Sequence, residues 1–176
     1  REFEPFSSLR ILSQHNLYDN YKNKTKVILD GSGGDEIGAG YTGFLWPLYL
    51  DQLKKEGHDK AWKSLIANLN LKKNITKQIS SFVNSGIENQ KNYGVCTSDG
   101  EKIIANNLIS NSYEKKYDNG PPIYSKNFES HLQNSQYIEL FHTKLPRGLR
   151  YVDRASSGSG REARVPLLTK KIVEFC

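Results

Sequence analysis

Apolar residues along the chain fall into two patterns, short continuous runs and longer stretches with one apolar position every three or four residues. Ser7 and Ser8 precede Leu9, Leu12 and Leu17, which predicts a capped helix with those leucines turned inward. Val27-Ile28-Leu29 is continuous and too short for a helix, and it predicts a buried, parallel strand. Trp46–Lys55 predicts a helix with Pro47 in its first turn and Gly57 past its end. Asp59 is placed to cap the next helix, whose apolar positions are Ala61/Trp62, Leu65/Ile66 and Leu69. Ile104, Leu108, Ile109, Tyr113 and Tyr117 predict another. Phe128, Leu132, Ile138, Phe141 and Leu145 predict a further one, broken near Pro146. Asn84–Gly100 and Asn119–Pro122 read as loops. A helix, a strand and a glycine turn followed by helices is an α/β pattern, mostly α-helical. One strand cannot make a sheet, so its neighbours are expected in an N-terminal part outside this sequence.

With 176 residues, 36% hydrophobic and 25% charged, the chain has the length and balance of one globular domain. No apolar run approaches the roughly 20 residues that span a bilayer, and no signal-peptide pattern opens the chain. It begins with Arg1 and has no methionine, so it is expected to be a piece of a longer protein. Cys96 and Cys176 lie outside any C-x-x-C spacing, which argues against a disulfide scaffold or a zinc site and for a reducing cytoplasm. His15, His58, His131 and His142 show no metal-ligand spacing. The net charge of +6 invites a nucleic-acid or polyanion reading, but the lysines are scattered without a dense run, and a nucleic-acid footprint is not expected.

Two glycine patterns match the dinucleotide fingerprint in letters only. Gly38–Gly43 and Gly158–Ala163 do not follow a predicted strand, and no Walker phosphate loop is present. The informative stretch is KVILDGSGGDEIGAGY, Lys26–Tyr41. Two readings apply. In one, Gly31, Gly33 and Gly34 permit a tight strand-to-helix turn, and Asp35 and Glu36 favour the start of the helix. In the other, loop amides hold an anion, and a carboxylate beside it is tolerable with a divalent cation between them, which points to a Mg²⁺–nucleotide site. A second dense stretch, LRYVDRASSGSGREARVPLL, Leu149–Leu168, alternates Arg150, Asp153, Arg154, Arg161, Glu162 and Arg164 through a Ser/Gly-rich linker. Asp153 and Glu162 are expected to pair with flanking arginines, which leaves guanidinium groups suited to phosphate or carboxylate recognition.

Together these stretches resemble the synthetase domain of the glutamine-hydrolysing asparagine synthetases. The first is similar to a strand followed by S-G-E-G-x-D-E-L-F-G-G-Y. The second is similar to L-R-x-x-D-R-x-S-M-x-x-x-x-E-x-R-V-P-F-L-D, and Glu4-Pro5-Phe6 also fits. The matches cover roughly a quarter of the chain, in the family's order and without gaps; residues 45–140 carry no motif. The resemblance implies part of an adenine-nucleotide alpha hydrolase-like (ATP pyrophosphatase) fold with few strands. The implied cofactors are ATP and Mg²⁺, and the implied chemistry is adenylation of aspartate or a related carboxylate, then amidation by ammonia. It implies Asp35 as Mg²⁺ ligand, and Gly31, Ser32, Gly33 and Gly34 at the nucleotide. Asp153, Arg154, Glu162 and Arg164 would serve as phosphate contacts or structural ion pairs.

Several departures qualify the resemblance. Residues 1–176 would be a partial synthetase domain, without the N-terminal glutaminase domain, the first S-G-G-x-D-S motif or the downstream catalytic lysine segment, and inactive by itself. Ser32 occupies the position of a family glutamate linked to the ammonia step, and Ser157 that of the motif's methionine. The Ser32 exchange leaves the acceptor open, since relatives close β-lactam rings, cyclise peptides or amidate other acids. The expected partners are ATP, a carboxylate substrate with aspartate foremost, ammonia from a glutaminase domain and a second copy in a homodimer, in the cytoplasm and without membrane or nucleic acid. The rival readings are a non-catalytic helical interaction module and an RNA-modifying ATP pyrophosphatase relative.

Overall fold

The computed structural model describes residues 9–21, 23–69 and 124–176. In chain order these form α1 (Leu9–Tyr21), β1 (Val27–Leu29), α2 (Gly34–Ile37), a 3₁₀ turn (Thr42–Phe44), α3 (Leu45–Glu56) and α4 (His58–Leu69). After residue 123 come α5 (His131–Phe141), α6 (Lys144–Gly158), β2 (Glu162–Arg164), a second 3₁₀ turn (Pro166–Leu168) and α7 (Lys170–Phe175). The helix expected over Ile104–Tyr117 and both expected loops lie outside the described residues. The chain divides into two compact units, residues 1–40 with 140–176, and residues 41–139.

In the first unit α1 leads into β1 and α6 leads into β2, and the two strands pair in parallel. The register sets Val27 opposite Glu162, Ile28 opposite Ala163 and Leu29 opposite Arg164. One neighbour of β1 therefore lies within this chain. Its polar Glu-Ala-Arg run had read as linker because it carries no apolar alternation. The two helices pack on each other, and Ile11 and Tyr18 of α1 and Leu145, Val152 and Ala155 of α6 are buried.

At Leu12 and Leu17 the inward face of α1 departs from the one predicted. Leu12 and Leu17 are 42% and 53% exposed, while Ile11 and Tyr18 are buried. Ile11 and Tyr18 are seven residues apart, two helical turns, and share a face that Leu12 and Leu17 do not. The parallel strand is as predicted, but it is only partly buried, with Leu29 at its end 72% exposed.

Pro146 does not break a helix. It sits in the first turn of α6, where its missing N–H has no helical partner to lose. The break lies before it, at His142–Thr143, and Phe128 precedes α5 altogether. The supposed Ser/Gly-rich linker is helical as far as Gly158. Leu145, Val152 and Ala155 carry a helical apolar stripe through it.

In the second unit α3 and α4 pack through Tyr49, Ala61 and Leu65, with Leu45, Trp46 and Leu50 against them. Gly57, at φ 80°, turns the chain between the two helices. Trp62 lies 40% exposed, stacked at 6.3 Å on His58, so of the pair Ala61/Trp62 only the alanine enters the core. Asp59 lies inside the first turn of α4 rather than at its cap.

The N-terminus of α5 is closed by side chains from two places. Ser130 Oγ accepts the Gln133 amide at 3.1 Å, the first half of an S-x-x-Q capping box. Asp51, on α3, accepts the His131 amide at 2.8 Å, the Leu132 amide at 3.0 Å and the Ser130 hydroxyl at 2.5 Å. Asn134, 1% exposed, accepts the amides of Asn127 and Phe128 and donates to the carbonyls of Phe128 and Ser130, so both ends of its amide are satisfied.

Burial opposes the charge on Asp51, but the bonds from Ser130, Leu132 and His131 outweigh it and hold the carboxyl below the ordinary carboxylate value. The stabilisation is then complete above the unfolded-state value, about pH 4, and is lost as pH falls through the lower folded value. Asp51→Ala is expected to destabilise the chain by about 1–2 kcal/mol at pH 7, and by progressively less below pH 4. Thermal unfolding of both proteins between pH 7 and pH 3 measures this; a difference independent of pH would exclude the charged cap.

Candidate functional site

The carboxyl end of β1 delivers the glycine loop, and the carboxyl end of β2 delivers Arg164 and the Val165–Leu168 turn. Asp30 N–H donates to the Arg164 carbonyl at 2.8 Å, so the two sequence stretches meet in the first unit. They are also packed together. A Cβ on Gly33 would collide with the Leu168 side chain, and one on Gly34 would lie 3.0 Å from Leu167. In open α/β sheets this edge, outside the carboxyl ends of the strands, is where ligands bind.

The loop carries three carboxylates, and the structure gives each a different situation. Asp30 is saturated. Its Oδ1 accepts the Ser32 amide at 2.8 Å and the Ser32 hydroxyl, and its Oδ2 accepts Tyr18 Oη at 3.1 Å and Gln14 Nε2 at 3.3 Å. The bond from Asp30 to the amide two residues on is an Asx turn, which bends the chain out of the strand. Glu36 is buried, 4% exposed. Asp35 is exposed, and its carboxylate has no hydrogen-bond or ion-pair partner among the described residues. Its carboxylate lies against the Cα of Gly40, where a Cβ would strike it, and its carbonyl accepts the Gly40 amide at 2.8 Å.

The remaining candidates divide. Gly31 is exposed, Gly33 is buried at φ 92°, and Gly34 opens the single-turn helix α2 that holds Asp35 and Glu36 in its first turn. The Ser32 hydroxyl and amide both turn back to Asp30. Glu162 and Arg164 form an exposed pair at 2.7 Å. The bond and the opposite charge hold the Glu162 carboxyl below its ordinary value and raise the Arg164 guanidinium above its own. Asp153 is exposed on α6 and makes no ion pair among the described residues, while Arg154, on the same helix, is engaged by a neighbour.

Tyr18 and Gln14 were missed from sequence. The signal available was their spacing of four on α1 with Tyr18 on the buried face, and nothing in it points to Asp30. Burial, offset in part by the Gln14 bond, pushes the Tyr18 phenol above its ordinary value, and Asp30 adds to the rise.

One exposed carboxylate beside a glycine loop fits a Mg²⁺ ion that takes its remaining oxygens from phosphates and water. Among the described residues no group of three or more His, Cys, Asp or Glu side chains could hold a metal by itself, and no helix is long and apolar enough to cross a membrane.

Gly33→Ala is expected to destabilise the chain by about 1–3 kcal/mol, because the left-handed backbone disfavours a side chain and the methyl group meets Leu168. At roughly 2–4 °C per kcal/mol for a chain this long, the melting temperature should fall measurably, whereas an unchanged value would contradict the packed turn.

The family model for asparagine synthase matches residues 2–176. Neither the comparison with curated proteins nor that with solved structures gives a match. The matched span covers both helix–strand units, the glycine loop and the arginine stretch that meets it, and on that ground the chain belongs to the asparagine synthase family, a family of ATP-dependent ligases.

Proposed function

We propose that the chain is a partial synthetase domain, of ATP pyrophosphatase-type fold, from an asparagine synthetase-like amide ligase. Its reaction is adenylation of aspartate or a related carboxylate, followed by amidation with glutamine-derived ammonia. The observation that carries this reading is the meeting of the two stretches at the carboxyl edge of the parallel strands, where Asp35 offers the one loop carboxylate that is exposed and without a partner among the described residues.

The chemistry explains why an acidic loop suits such a site. ATP and a carboxylate repel each other, so their approach needs positive charge between and around them. Bound Mg²⁺ would supply Lewis-acid neutralisation of the phosphate oxygens. Asp35 is the residue that would hold it, with Gly31, Ser32, Gly33 and Gly34 lining the nucleotide. Arg164 stands at the strand end already paired to Glu162, and it offers its remaining N–H donors to an anion. Arg154, on α6, serves as a phosphate contact or in an ion pair of the fold, whereas Asp153, exposed on the same helix, makes no ion pair among the described residues. Ser32 gives its hydroxyl to Asp30, so its role in this reading is to shape the loop rather than to move a proton.

Asp35→Asn in the enzyme that carries this chain is expected to lower ATP–pyrophosphate exchange by at least ~10–100-fold and to weaken its Mg²⁺ dependence, since the substitution keeps the shape and removes the anion. A role confined to the helix terminus would cost about 1 kcal/mol of stability or less and leave exchange intact. Exchange measured across a Mg²⁺ titration, with thermal unfolding alongside, separates the two. Unchanged exchange with a lowered melting temperature would reject the metal role.

A further inference from the structure

Asp30 holds together three parts of the first unit. Its amide is bonded to β2, one carboxylate oxygen turns the loop through Ser32, and the other receives Tyr18 and Gln14 from α1. Four donors leave this carboxylate little capacity for a metal or a substrate, so what it does for a ligand it does through the loop. The motif that the loop resembles has serine at this position. A serine oxygen could not accept from all four donors. Tyr18 is 2% exposed, and its hydroxyl is joined to Gln14 Nε2 at 3.1 Å as well as to Asp30, so the three side chains form one connected network.

We propose that Tyr18 and Gln14, acting through Asp30, are positioning residues of the glycine loop. They fix the carboxylate that closes the Ser32 turn, and that turn sets the direction in which the chain enters α2 and presents Asp35. The consequence for ligand binding rests on the nucleotide reading above; the tether itself does not.

The test has two arms on the full chain. In the first, amide hydrogen exchange is followed at Ser32 and Gly34, with Val152 and Ala155 of α6 as internal controls. Tyr18→Phe is expected to raise exchange at the loop amides about tenfold, the scale of one lost hydrogen bond to a charged acceptor, and to leave α6 within about twofold. Asp30→Ala is expected to raise it further. Asp30→Asn keeps an acceptor for Ser32 but puts an amide donor where Tyr18 and Gln14 donate, so its exchange should lie between those of Tyr18→Phe and Asp30→Ala. Loop exchange unchanged by Tyr18→Phe, or raised equally in α6, overturns the proposal, as does an Asp30→Asn variant no better than Asp30→Ala.

In the second arm, affinity for ATP with Mg²⁺ is measured by calorimetry. Tyr18→Phe should weaken it about five- to twentyfold, and Asp30→Asn, which loses the acceptor for the same donors, by at least as much. If the loop responds in the first arm but the parent chain binds no ATP, the tether stands and the nucleotide reading falls. If the parent binds and Tyr18→Phe binds equally well, the proposed link from tether to ligand falls.

Discussion

The carboxylate of Asp30 sits where a strand ends, a turn begins and a helix arrives, and its hydrogen bonds fix all three. A three-residue parallel pair is too short to define an edge by itself. Here that edge is held by the Asp30 amide on β2 and by the Asp30 side chain on α1 and Ser32. A satisfied buried or half-buried network specifies one arrangement, because any alternative leaves a charged acceptor without its donors. The exposed position of Asp35 follows from this turn, since the loop must leave the strand in that direction before α2 can start at Gly34.

The contrast between Asp30, Asp35 and Glu36 shows how a sequence of three nearby acids becomes a loop with one available carboxylate. Like charges this close would repel if all were left in one dry space. One accepts hydrogen bonds from four donors, one is buried, and one faces solvent. The arginine stretch reaches the same edge through β2, and Glu162 keeps Arg164 oriented there. The second unit uses the same device for a different end. Asp51 and Asn134 tie the start of α5 down through backbone amides rather than through the apolar cluster described on α3 and α4.

Much of the edge was legible in the sequence. The strand Val27–Leu29, the glycine turn and the helix after it follow from an apolar run, three glycines and two acids in a fixed order. The helix Leu45–Glu56 followed from Pro47 and Gly57, whose backbone preferences are local. What was not legible depended on distant partners. β2 is polar, and only its pairing to β1 makes it a strand. The inward face of α1 depends on its packing against α6, and it carries Ile11 and Tyr18 rather than Leu12 and Leu17. Asp51 capping a helix 79–81 residues away has no local signature at all. Tyr18 and Gln14 read as ordinary helix positions until the strand end brings Asp30 to them.

The central claim is that the loop and the arginine stretch form one metal–nucleotide edge with Asp35 at its focus. Manganese, which accepts the same oxygen ligands as magnesium, broadens the NMR signals of nuclei near it, so titrating the chain with ATP and substoichiometric Mn²⁺ reads the position of the metal directly. The account predicts that the amides of Gly33–Glu36 and of Ala163–Val165 broaden first, and that Asp35→Asn abolishes the effect. Broadening centred elsewhere, or equal broadening in the Asp35→Asn chain, would contradict it.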